Sequence, residues 1–266
     1  METSHPYTLN DDQKRVTGHG PAVVFLHALP LDASQWDHQV AVLAGSWKCI
    51  RYSFTSPSEP AHLPPTLAAF AKAILKDLEQ DGIPDFAVIG SSMGGYIACE
   101  LACDNPRQLR PLILIGSHPF CDTPEQRAAR IERVAALGIE GFDEMLRTLA
   151  ASLLGAAAQR EPHVVDPLLA RGRRWTPEQY MKAQLLIANR RDHAATLDAL
   201  PHPPHILIGE EDVLVPQKRI LDHATRTRGW RVTRLEHLGH LPNLEAPHEC
   251  TALLSSILVE DGYGHD

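Results

Sequence analysis

Two hydrophobic rhythms alternate along this chain. Short runs of consecutive apolar residues are separated by longer stretches in which apolar residues recur every three or four positions. The first rhythm marks strands buried on both faces and the second marks amphipathic helices. Their alternation predicts a parallel sheet with crossover helices. Predicted strands are Ala22–Leu26, Cys49–Phe54, Phe86–Ile89 and Leu112–Ile115, with helices over Ala33–Ala44, Pro65–Gln80 and Gly94–Cys103. The helix over 65–80 is the most clearly marked. It has a proline near its start, Leu67, Phe70, Ile74 and Leu78 along one face, and Asp81-Gly82 as its stop. From about Cys121 to about Leu200 the strand rhythm is absent. Thr123-Pro124-Glu125-Gln126 carries the cap, first-turn proline and back-bonding Gln of a helix start. Ala-rich and Leu-rich helical stretches follow, with breaks near Gly138, Gly155, Pro162 and Gly172. Strands return at His205–Ile208 and Arg231–Leu235, with helices over Pro216–Thr225 and Pro247–Val259; Asn105-Pro106 and Pro201–Pro204 read as connectors. The expected organisation is an α/β core over 1–120 and 201–266, interrupted by an all-helical insert over 121–200.

Composition narrows the classes of function. The chain has 266 residues, 44% hydrophobic and 22% charged, which fits a soluble globular protein with a substantial core. The net charge of −8 argues against a nucleic-acid or anionic-membrane partner, because both select a basic face. The insert holds eleven Lys/Arg and eleven Asp/Glu, so the acidic excess sits on the core. No apolar run is long enough to span a bilayer, and Met1 to Asp12 is polar and acidic, unlike an export signal. Five scattered cysteines without such a signal predict a reduced, cytoplasmic chain. Cys99 and Cys103 share a predicted helix face and read as small buried thiols, since no further metal ligands stand near them. No phosphate loop or dinucleotide fingerprint occurs, so neither a metal nor an organic cofactor is expected. No motif assigns substrate-contacting residues or an oligomeric state.

The candidate chemistry begins at Gly90-Ser91-Ser92-Met93-Gly94. It lies directly after a predicted strand and before a predicted helix, where a sharp turn presents its central side chain at the carboxyl edge of the sheet. Ser92 holds that central position and is the candidate nucleophile; Ser91 is its rival. A serine hydroxyl needs a base to take its proton. Gly239-His240, in the loop between the last strand and the last helix, supplies the candidate base, with His237 as the alternative. The base needs an anion to fix its tautomer. Asp212, one short loop past the strand at 205–208, is the candidate, with Glu210 and Glu211 as rivals. The chain order Ser, Asp, His suits this architecture. Backbone N–H groups of Leu29, after the strand at 22–26, and of Met93 are the candidate oxyanion donors. His27 reads as a residue that holds this loop.

These residues resemble the α/β-hydrolase superfamily over nearly the whole chain. His27-Ala28 stands where most members have His-Gly, Gly90–Gly94 matches the nucleophile elbow, Gly209-x-x-Asp212 the acid turn, and Gly239-His240 with Glu245-x-Pro247 the base loop. The tract Gly90–Ala98, with Asp122–Glu125, is similar to small carboxylesterase and 3-oxoadipate enol-lactonase-like members. The segment Phe54–Pro60 departs from the Asp-x-x-Gly-x-Gly-x-Ser turn of many relatives. The resemblance implies an α/β-hydrolase fold, with a mostly parallel, doubly wound sheet and a helical cap formed by 121–200. It implies hydrolysis of a carboxylic ester, lactone or thioester of a small molecule. Carbon–carbon cleavage, elimination or perhydrolysis on the same triad is the alternative, and a non-catalytic ligand-binding protein the third possibility. Serine at the elbow argues against dehalogenases and epoxide hydrolases, which use Asp there. Trp175 and Tyr180 read equally as pocket lining or cap core. The basic tract Arg171-Gly-Arg-Arg174 reads either as a substrate-carboxylate contact or as a solvated helix end.

Overall fold

The computed structural model describes residues 6–104, 107–227 and 229–263, so the connector Asn105-Pro106 lies outside the described residues. Seven strands, β1 (Lys14–Thr17), β2 (Ala22–Leu26), β3 (Lys48–Tyr52), β4 (Phe86–Ser91), β5 (Leu109–Ile115), β6 (His205–Gly209) and β7 (Arg231–Leu235), form one sheet. Their order is β1-β3-β2-β4-β5-β6-β7. Strand β1 runs antiparallel to β3, and every other neighbouring pair is parallel. The chain winds outward from β2 to β3, then returns and winds the other way from β4 to β7. The crevice between β2 and β4 is therefore the switch point, where open α/β sheets bind ligands beyond their carboxyl ends.

Helices α1 (Asp37–Leu43), α2 (Leu67–Gln80) and α3 (Met93–Asp104) make the first crossovers. Between β5 and β6 the described residues hold α4 (Pro124–Glu140), α5 (Phe142–Leu153), α6 (Pro162–Gly172), α7 (Pro177–Ala188) and α8 (Ala194–Asp198). Helices α9 (Gln217–Thr227), α10 (Pro242–Glu245) and α11 (Pro247–Glu260) complete the fold. The alternation of side chains along each strand divides the core into two layers. Val24, Leu26, Val88, Leu114 and Ile206 join Phe70, Ile74 and Leu78 of α2 and Ile97 of α3. Val23, Phe25, Ala87, Ile89, Ile113 and Leu207 join Val40 and Leu43 of α1 and Leu254 and Leu258 of α11. Burial on both faces is why these strands read as unbroken apolar runs.

The structure departs from the sequence expectations in several places. Strand β1 was not foreseen: its residues are mostly exposed and it is held by backbone pairing at the sheet edge, which leaves no hydrophobic alternation to read. Strand β3 ends at Tyr52 because the Phe54 N–H donates to His27 Nε2 at 2.9 Å and leaves the ladder. The expected helix over 33–44 is split into a 3₁₀ turn at Ala33–Trp36 and α1. Helix α4 runs through Gly138, and the break falls at Gly141, whose φ of 77° belongs to the left-handed region. Cys99 is a buried thiol as expected, but Cys103 is a polar tie. Its Sγ lies 3.1 Å from His193 Nδ1, and His193 Nε2 lies 3.0 Å from Glu100 Oε1, so α3 is fastened to the segment entering α8.

Three sets of contacts fasten the helical segment to the sheet edge. Trp175 Nε1 donates to Leu31 O at 2.8 Å, and its ring stacks on Phe54. Glu245 accepts from Gly155 N at 2.7 Å and from Gly239 N, while Glu211 accepts from Ala156 N at 2.6 Å. The His240 N–H donates to Leu153 O at 3.0 Å.

Candidate active site

Strand β4 ends at Ser91 and α3 begins at Met93, which leaves Ser92 alone on the turn with φ of 50°. A non-glycine residue pays on the order of 1–3 kcal/mol for that conformation and keeps it only where its surroundings enforce it. Here the Ser92 N–H donates to Ile115 O at 2.9 Å, and Ser117 Oγ donates to Ser92 O at 2.9 Å. The flanking glycines let the backbones close in. A Cβ on Gly94 would lie 2.2 Å from Leu26 O, and one on Gly90 would lie 2.5 Å from Gly94 O. Ser91, the rival, is wholly buried and its Oγ has no hydrogen-bond partner among the described residues.

His240 and Asp212 converge from the loops after β7 and β6. His240 Nδ1 lies 2.8 Å from Asp212 Oδ2, with the two side chains 3% and 0% exposed. Asp212 Oδ1 accepts from the N–H groups of Leu214 at 2.8 Å and Val215 at 3.2 Å. Burial alone would raise the Asp212 carboxyl, but the adjacent His240 and these amides outweigh it and hold the pKa below the usual range. Asp212 is thus a fixed anion, so Nδ1 of His240 carries the proton and Nε2 is left as the acceptor. The rival acids are engaged elsewhere: Glu211 with Ala156 N and Glu210 with Arg234. His237 is exposed on a turn with φ of 60°. Ser92 and His240 line one cavity of about 210 Å³, and no hydrogen bond joins them in this structure. Such bonds often tighten only when substrate binds.

Leu29 lines the same cavity, and Met93 opens α3. Among the described residues, neither backbone N–H donates a hydrogen bond. Both are available to a developing oxyanion, aided by the positive end of α3. His27 holds the loop: Nε2 accepts from Phe54 N, and Nδ1 lies 2.9 Å from Ala28 O. Burial depresses its pKa, so the ring is neutral.

The cavity wall includes residues that the sequence did not single out. From the helical segment come Gln126, Arg130 and Arg133 of α4, Leu149 and Leu153 of α5, and Gln184 and Ile187 of α7. Tyr96, His118, Asp122 and Arg190 add polar groups. Neither Trp175 nor Tyr180 reaches this cavity; both are buried in packing. The basic tract is tied up as well: Arg171 bonds Ser34, Arg173 pairs with Asp143 and Arg174 with Asp32. Among the described residues no cluster of His, Cys, Asp and Glu is arranged to hold a metal, and no helix is long and apolar enough to cross a membrane.

Asp122 joins two of the new arginines. It accepts from Arg130 Nε at 2.9 Å and lies 2.7 Å from Arg190 Nη1. Burial alone would raise its carboxyl, but the Arg130 hydrogen bond and the charges of Arg190 and Arg130 hold it below the usual range. A carboxyl whose pKa falls on folding stabilises the fold above its unfolded value near ~4, and the contribution is lost as pH falls through the folded value. Asp122→Asn is expected to cost about 3 kcal/mol at neutral pH by leaving buried Arg190 uncompensated. It should also flatten the loss of stability below about pH 4. Urea midpoints measured from pH 6 to pH 3 check this, and parallel declines in the two proteins would contradict it.

A mostly parallel sheet with a strand–Ser–helix elbow and a His–Asp pair at one carboxyl edge defines an α/β hydrolase. The alpha/beta hydrolase family model matches residues 23–253, and the chain belongs to that family and is an enzyme. It is 29% identical to the pimeloyl-[acyl-carrier protein] methyl ester esterase of Aromatoleum aromaticum, over 90% of this chain and 98% of that protein. It is also 29% identical to the 2-succinyl-6-hydroxy-2,4-cyclohexadiene-1-carboxylate synthase of Klebsiella pneumoniae, over 90% and 94% of the two chains. The structure of a thermophilic esterase from Thermogutta terrifontis, with malate bound, superposes with a TM-score of 0.84 at 25% identity, covering 93% of each chain. The enol-lactonase of Burkholderia xenovorans shares the fold with a TM-score of 0.79 at 20% identity, over 92% and 95% of the chains.

Proposed function

We propose that this enzyme is a serine hydrolase that cleaves a carboxylic ester, lactone or thioester of a small molecule through an acyl-enzyme on Ser92. The observation that carries this reading is the buried His240–Asp212 pair at 2.8 Å, beside a serine on a strained elbow in the same cavity. Ser92 Oγ attacks the acyl carbon while His240 Nε2 takes its proton, and the carbonyl oxygen draws charge toward the N–H groups of Leu29 and Met93. The bond to the leaving group then breaks as His240 returns the proton to it. Water, deprotonated by His240, releases the acid and restores Ser92. Asp212 stays anionic throughout and stabilises the imidazolium. The similarity to a named methyl ester esterase supports the ester class.

A rapid-mixing experiment with p-nitrophenyl acetate tests the covalent step. The expected result is a burst of p-nitrophenol close to one equivalent per enzyme, or a trapped acyl adduct where deacylation is fast. The second reading is carbon–carbon or elimination chemistry on the same triad, supported by the similarity to the named synthase. Absence of any acyl adduct, together with turnover of a substrate that loses a proton rather than an acyl group, would favour it.

A further inference from the structure

The wall of the cavity carries an excess of positive charge. Arg130, Arg133 and Arg190 line it, and Asp122 is the one carboxylate among its lining residues. Arg130 and Arg190 share that single anion, so the wall keeps an excess of positive charge even with its internal ion pairs made. Arg190 is the most constrained of the three, with a side chain only 3% exposed. Nε donates to Phe120 O at 3.0 Å, Nη1 to Ile187 O at 2.9 Å and to Asp122, and the guanidinium lies 4.2 Å above the Tyr96 ring. Nη2 donates to no described residue. Nη2 is therefore free to donate to an acceptor in the cavity that Arg190 lines.

The neutral groups beside it are donors too. Phe120 N donates to His118 Nδ1 at 3.2 Å, so the ring's proton sits on Nε2. Burial, followed by the charges of Arg190, Arg219 and Arg130, pushes the His118 pKa well below the usual value. The same charges that repel a proton from His118 attract an anion. The Tyr96 hydroxyl, buried beside His118, makes no hydrogen bond to a described residue. Arg190, His118, Tyr96 and, at the more open side, Arg133 thus present donors around one space. The cavity of about 210 Å³ has room for a short acyl chain.

We propose that this cluster is a carboxylate subsite, and that the preferred substrates are short esters bearing a second, free carboxylate a few atoms from the scissile carbonyl. This rests on the serine-hydrolase reading of Ser92 and adds its substrate class.

The test compares two methyl esters of equal chain length, monomethyl glutarate and methyl valerate, together with binding of glutarate to the inactive Ser92→Ala protein by calorimetry. The expected kcat/KM is at least ~10-fold higher for the charged ester at low salt, with the preference shrinking as salt screens Arg133. Arg190→Met and Arg133→Gln should each lower the charged-to-neutral ratio at least ~5-fold and weaken glutarate binding in the Ser92→Ala background. Arg133→Gln leaves the Asp122 ion pairs intact, so it keeps the test decisive if Arg190→Met fails to fold. Equal kcat/KM for the two esters, or a ratio that Arg133→Gln leaves unchanged with glutarate unbound, would overturn the subsite while neutral-ester turnover still upheld the hydrolase reading. Loss of turnover on both esters in the unaltered enzyme, with glutarate still bound, would overturn the hydrolase reading instead.

Discussion

Replacing Ser92 with Ala is expected to lower kcat for ester hydrolysis by about 10⁶-fold, the loss seen when a triad nucleophile is removed and only binding and oxyanion stabilisation remain. The reason is positional. Ser92 is the single residue between β4 and α3, its backbone is fixed by Ile115 and Ser117, and it lines the same cavity as His240. Alanine tolerates the same φ no worse than serine and makes the same backbone bonds, so the thermal midpoint should stay within a few degrees. Ser91→Ala removes a buried hydroxyl that has no partner, and activity should hold within about 3-fold, since no lost hydrogen bond accompanies the change. Steady-state kinetics with matched thermal melts check both. A Ser92→Ala protein retaining a tenth of its activity would remove the serine from the mechanism.

Asp212→Asn should lower kcat by about 10⁴-fold with the fold intact. The Asn oxygen can still accept from Leu214 and Val215, which places its NH₂ against His240 Nδ1. That reverses the tautomer: Nδ1 becomes the acceptor, Nε2 carries the proton, and the ring can no longer take the Ser92 proton. Glu211→Gln should cost less than about 10-fold, because Glu211 bonds Ala156 N rather than the imidazole. The comparison of the two variants by kcat separates the roles. Inactive Glu211→Gln beside active Asp212→Asn would reassign the acid.

The parts of this molecule that were legible in the sequence are those built from local order. The elbow is a strand, a turn and a helix in consecutive residues, so Ser92 stands out, and Asp212 and His240 each follow a recognisable strand by one short loop. Their meeting at 2.8 Å is a consequence of β6 and β7 lying side by side. The arginines of the cavity were not legible for the opposite reason. Arg130 and Arg190 stand sixty positions apart, and only the packing of α4 against α7 and their common bond to Asp122 bring them together. A run such as Arg171–Arg174 draws the eye as charge, yet its members spend that charge on Ser34, Asp143 and Asp32. Trp175 likewise serves as a peg between the helical segment and the loop after β2. Strand β1 escaped because an edge strand held by backbone pairing needs no apolar alternation.

Fluorophosphonate labelling followed by peptide mapping by mass spectrometry tests the central claim most directly. The phosphonyl adduct should form once per chain, on Ser92, and should disappear in both Ser92→Ala and a heat-unfolded sample. An adduct on Ser91 or on any serine outside the elbow, or a folded enzyme that hydrolyses esters while remaining unlabelled, would contradict it.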